Sequence, residues 1–132
     1  MIFSQRNYVL YFCITKGQPE LVAPLESSHT ILYTEALSMN CMVGGKPAFT
    51  SIHWDIPGDM NNIFKSIDLG SEPEGKLTRH TVRLEWNTED TESRKTGNEA
   101  VLRCVANNGQ GEALDESVTM DVQCKLSKLV RM

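Results

Sequence analysis

The chain has 132 residues, enough for one domain and too few for two ordinary ones. A net charge of -4 leaves no basic stripe to follow phosphates, which argues against nucleic acid as a partner. Apolar residues make up 40% and charged residues 23%, a soluble globular balance, and no run reaches the roughly 18–20 apolar residues of a membrane span.

In chain order, the longest apolar run is Tyr8-Val-Leu-Tyr-Phe-Cys-Ile-Thr15, preceded by Arg6 and followed by Lys16-Gly17-Gln18-Pro19. No small-x-small cleavage site follows it closely. Residues 1–17 read as a leader, a signal remnant or the tail of an upstream domain. Residues 19–26 have the pattern of an edge strand interrupted by Pro24, and residues 30–34 of its continuation in a second sheet. Leu37, Met39, Cys41 and Val43 alternate with Ser38, Asn40 and Met42, which predicts a strand with one buried face. Gly44-Gly45-Lys46-Pro47 reads as the turn that ends it.

Ile52, Trp54 and Ile56 form the next inward row, with His53 and Asp55 facing out, and Pro57-Gly58-Asp59 stops that strand. Residues 62–68 form a weaker strand candidate, followed by a polar loop over residues 70–75. The clearest alternation places His80, Val82, Leu84 and Trp86 on one face. Residues 88–99 are charged, lack apolar periodicity and read as a solvated loop. Ala100, Leu102, Cys104 and Ala106 alternate next, up to the turn-rich stretch at residues 107–111. Val118, Met120 and Val122 mark the last strand.

These signals define an all-β chain of seven or eight short strands with no convincing helix. Alternation, rather than continuous apolar runs, argues for antiparallel sheets. Cys41, Trp54 and Cys104 all fall on the apolar phase of their strands. With Leu102-Arg-Cys104-Val-Ala106-Asn-Asn108 and Thr119-Met-Asp-Val122-Gln-Cys124-Lys, this trio resembles the immunoglobulin superfamily across about residues 18–124. The likeness is to the constant-like (C2-type) domains of cell-adhesion receptors of the nectin, nephrin and Sidestep kind. One departure is Leu102, which stands where the common sandwich has a Tyr two residues before the second Cys. Residues 125–132 read as a linker or a truncated tail.

The resemblance implies an immunoglobulin-like β-sandwich of two antiparallel sheets, a Cys41–Cys104 disulfide between them, and Trp54 as the core marker beside it. It also implies an extracellular setting, as a receptor ectodomain or secreted protein, with adjacent immunoglobulin domains in the parent chain. Cys124 is expected to be free, or paired with Cys13 where the leader folds back.

No nucleophile–base set, G-x-S-x-G or phosphate-cradling Gly loop is present, so no catalytic residue is assigned. His29, His53 and His80 lie on separate elements without metal-ligand spacing, and no cofactor or metal is expected. Glu89-Asp90-Thr91-Glu92 lacks the loop pattern that converges six to eight oxygens on calcium. His80 reads as a hydrogen-bonded core histidine, and Trp86 as core; left exposed on an edge, Trp86 would instead be a binding anchor. The absence of any Asn-x-Ser/Thr acceptor is unusual for an extracellular domain.

Function is therefore expected to be protein–protein recognition, of a cell-surface receptor or homophilic, with a neuronal setting implied by the resemblance alone and no small-molecule substrate. The residues expected to meet the partner are the outward positions His53, Asp55, Arg103, Val105, Thr119 and Asp121, with Val105 as an apolar centre inside a polar rim. The competing expectation for these positions is a solvated sheet face on a spacer domain. A second reading of the whole chain is an intracellular structural module of the muscle or cytoskeletal type, with both core cysteines reduced. A third is a metal-dependent enzyme on a sandwich scaffold.

Overall fold

A computed structural model of the chain describes residues 17–111 and 113–124. They form eight strands: β1 (Gly17–Leu21), β2 (Ser28–Leu32), β3 (Met39–Lys46), β4 (Ser51–Asp55), β5 (Phe64–Glu74), β6 (Leu77–Trp86), β7 (Ala100–Asn107) and β8 (Leu114–Gln123). A short helix, α1 (Thr91–Arg94), and a 3-10 turn (Lys95–Gly97) lie between β6 and β7. The first sheet has the order β1-β3-β6-β5 and the second β2-β8-β7-β4. Seven of the residues with the least exposed side chains, Val43, Val82, Leu84, Leu102, Val118, Cys41 and Cys104, come from the alternating phases of β3, β6, β7 and β8. Alternation works this way because successive strand side chains point to opposite faces.

Two cross-core ties hold the sheets in register. The Cys41–Cys104 disulfide joins β3 to β7, with Cα atoms 6.5 Å apart. Beside it, Trp54 faces Cys104 across the β4–β7 pair and donates its Nε1 hydrogen to Val82 O on β6 at 3.3 Å. Burying an indole is favourable when its N–H finds such a partner. Trp86 is also core: it stacks on Phe64 with centroids 5.5 Å apart and donates to Glu35 O at 2.7 Å.

The chain changes sheets early, as expected from Pro24. β1 pairs antiparallel with β3, whereas β2 pairs parallel with β8, Ser28 facing Thr119 and Leu32 facing Gln123. Three expectations are corrected. Gly44, Gly45 and Lys46 do not form a turn; they continue β3, with Gly45 opposite Thr78. Gly45 is there because space is short: an added Cβ would lie 2.8 Å from Asn108 Nδ2 and 3.1 Å from Phe49.

The polar stretch 70–75 is not a loop but the second half of β5, paired with β6 down to Glu74 opposite Leu77. Its exposed pattern hides a strand, because backbone pairing requires no apolar side chain. A bulge at Asp68/Gly70 re-aims this half, with Gly70 at φ 92°, a conformation that suits glycine. The charged stretch 88–99 contains α1, started by the Asp90 carboxylate, which accepts from Glu92 N at 3.2 Å and Ser93 Oγ at 2.8 Å. Four residues are too few to show helical periodicity, so the cap was the available signal.

Candidate functional site

In the second sheet Trp54, Leu102, Cys104, Ala106, Val118, Met120 and Val122 turn inward. The opposite phase therefore builds the outer face. Register places His53 opposite Val105, Asp55 opposite Arg103, Val105 opposite Asp115, Val101 opposite Thr119, and Asp121 opposite Thr30. The six residues expected at an interface thus share one face. His53, Asp55, Arg103 and Val105 form a block on β4 and β7, while Thr119 and Asp121 lie on β8 toward β2.

Arg103 organises the centre. Its Nη2 donates to Asp55 Oδ2, and its Nη1 to Asp115 Oδ2 at 2.8 Å, so one guanidinium bridges three strands. The Asp55 hydrogen bond, with the charges of Asp115 and Asp55, raises the guanidinium pKa above its ordinary value. A fork geometry held on both sides is rigid, which limits the side-chain entropy lost on docking.

Val105 is half-buried between its neighbours rather than open to solvent. The exposed apolar residue of this face is Val101, at 48%. It was missed although it stands on the phase of Arg103 and Val105, two residues before Arg103. Asp115 was missed as well, because its pairing with Arg103 crosses strands. The face is a polar surface with Val101 on one side of Arg103 and Val105 on the other.

The other singled-out residues lie elsewhere. His80 is mostly covered and donates from Nε2 to Asp68 Oδ1 at 2.6 Å. His29 lies beside Glu26, with Nδ1 and Oε1 3.3 Å apart. Leu102 is fully buried, so no phenol ties the β6–β7 corner. Arg94 does so instead: Nε donates to Thr88 O at 3.2 Å and Nη1 to Tyr33 O at 3.1 Å, with the guanidinium 5.0 Å above the Trp86 ring. Cys124 is an exposed free thiol just past β8, and Cys13 lies outside the described residues.

This architecture is similar to several solved structures. Against Dpr2 Ig1-Ig2 in complex with DIP-Theta Ig1-Ig3, the TM-score is 0.53 at 18% identity, covering 82% of this chain and 33% of that one. Against a titin tandem of Ig domains it is 0.51 at 16% identity, covering 82% of this chain and 50% of that one. Against the BTLA ectodomain it is 0.50 at 13% identity, covering 81% of this chain and 100% of that one. The chain thus spans about a third of the Dpr2 chain and half of the titin tandem. No family model matches the sequence, and no curated protein does. At these identities the likeness is one of fold, and the fold is that of the immunoglobulin superfamily: two four-stranded sheets, an inter-sheet disulfide and a tryptophan beside it.

Proposed function

We propose that this chain is an extracellular immunoglobulin-like domain of a cell-surface adhesion or recognition receptor, of the constant-like subtype, and that it docks a protein partner on the outer face of the second sheet. The observation that carries this reading is the composition of that face. Val101 is 48% exposed two residues from Arg103, whose guanidinium is held by Asp55 and Asp115, with Thr119 opposite Val101 and His53 opposite Val105. An apolar centre, a pre-positioned Arg and a polar rim are the parts of a modest protein interface. Support for a protein partner comes from Dpr2 Ig1-Ig2, which was solved in complex with DIP-Theta Ig1-Ig3. The disulfide supports an oxidising compartment.

The alternative is an intracellular structural module with both core cysteines reduced, and the likeness of fold to the titin Ig tandem is compatible with either reading. The two readings separate by experiment. Beads coated with the full chain are tested for binding to themselves and to a panel of immunoglobulin-type ectodomains. Val101→Asp and Val105→Asp, each shown to keep the wild-type melting temperature, should weaken any interaction found by at least about tenfold. Unchanged affinity in both variants removes this face as the docking surface.

A further inference from the structure

On the opposite side of the sandwich, the outward phase of the first sheet carries a mainly apolar belt across its middle. Val22 N donates to Met42 O at 2.8 Å, Met42 lies opposite Thr81, and Gly70 lies opposite Thr81 from the other side. Leu69 is the extra residue of the β5 bulge, and it shares a hollow of ≈ 280 Å³ with Met42 and Thr81. The bulge thus aims a leucine onto a sheet face where alternation alone would not place it. Next to the belt, Gly44 floors a depression of ≈ 340 Å³ walled by Val22 and Leu77. Val22, Leu69 and Leu77 are three of the four large apolar side chains left exposed among the described residues.

The two ends of the belt carry opposite charge. Toward Leu77, Arg79 pairs with Glu72 and, at 3.2 Å, with Glu74, which leaves that end net negative. Toward Trp86, Arg83 donates to Glu85 at 3.5 Å and Lys65 lies opposite Glu85, which leaves that end net positive. The outward charges of β5 and β6 therefore cancel, whereas on the second sheet Arg103 stands against Asp55, Asp115 and Asp121. Two copies of a chain with net charge -4 repel, so they can meet only through a face that is locally neutral.

We propose that this face joins a second copy of the chain in a two-fold dimer, with the β6 strands crossing antiparallel. Such a contact must be self-complementary. The antiparallel crossing lays belt on belt and sets the negative end of each copy on the positive end of the other. The ten residues of β6 run roughly 33 Å and four strands span roughly 19 Å, so each copy offers on the order of 600 Å². Two copies then bury about 1,200 Å², the lower end of a stable interface. This leaves the outer face of the second sheet free for a different partner.

Sedimentation velocity of the full chain between about 10 μM and 1 mM should show the mass rising from one copy to two. Leu69→Asp puts a charge in the belt and should raise the dissociation constant at least about tenfold. Glu72→Lys and Lys65→Glu, each at the wild-type melting temperature, set like charge on like and should do the same. Combined in one chain they exchange the signs of the two ends, and the wild-type constant should return. Val101→Asp, on the second sheet, should leave the dimer unchanged. A monomer throughout overturns the proposal, as does a mass beyond two copies or a dimer that survives Leu69→Asp. So does a double reversal as weak as either single one. Loss of the dimer in Val101→Asp moves the contact to the second sheet, and a dimer that is covalent on a non-reducing gel assigns it to a thiol; both overturn it.

Discussion

Reducing the Cys41–Cys104 bond tests the fold and the compartment together. The two cysteines are 63 residues apart in sequence and both are fully buried, so the cross-link closes a long loop in the unfolded chain. In the chain-entropy model such a loop lowers the unfolded-state entropy by roughly 14 cal/mol/K, which is about 4 kcal/mol at 25 °C. Against a total stability of about 5–15 kcal/mol, that loss is a large fraction. For a domain of this size it corresponds to a fall in Tm of roughly 15–25 °C.

The assay is urea unfolding of the oxidised chain against the same chain unfolded, reduced and refolded in reductant, which leaves the sulfur atoms in the core. Using the reduced wild type avoids the cavity that a Cys→Ala pair would add. Alkylation of the non-reduced chain unfolded in urea should label Cys124 and spare Cys41 and Cys104. A reduced chain within about 1 kcal/mol of the oxidised one refutes the loop argument. Labelling at Cys41 and Cys104 in the non-reduced, urea-unfolded protein refutes the disulfide and with it the extracellular reading, and favours the intracellular alternative.

Asn108 is the buried polar residue among the described residues; its Nδ2 donates to Gly17 O at 2.8 Å and Pro47 O at 3.2 Å, and its Oδ1 accepts from Gln110 N at 3.1 Å. Asn108→Ala strands the carbonyls and should cost about 1–3 kcal/mol in urea unfolding; a cost under about 0.5 kcal/mol contradicts that role. The Asp68 carboxyl is held below its ordinary pKa first by the Gly70 N–H and then by His80. Its folded-state pKa is depressed, so its contribution is present above about pH 4 and lost as the pH falls below that. Asp68→Asn should flatten the acid limb of stability slightly, since the group is exposed; a steeper acid limb contradicts the pairing.

Much of the sandwich was legible in the sequence. Alternation is a local property, and it marked the buried phases of β3, β4, β6, β7 and β8 before any neighbour was known. The change of sheet after β1 was legible for a similar reason, since Pro24 breaks a ladder wherever it stands. The placement of Cys41, Trp54 and Cys104 on inward phases pointed to an immunoglobulin-like sandwich, which is the fold found.

Only the tertiary structure decided the features that depend on approach between distant segments. Gly44 and Gly45 have the composition of a turn, yet Asn108 and Phe49 press so closely that β3 needs glycine at Gly45 to continue. The outer half of β5 shows no apolar phase because β6 supplies its backbone partners, and pairing leaves no mark on side-chain polarity. The Asp115 partner of Arg103, the exposure of Val101 and the depression over Gly44 all arise from neighbours far along the chain. Hydrophobic pattern records which way a side chain points, and long-range packing decides what it meets there.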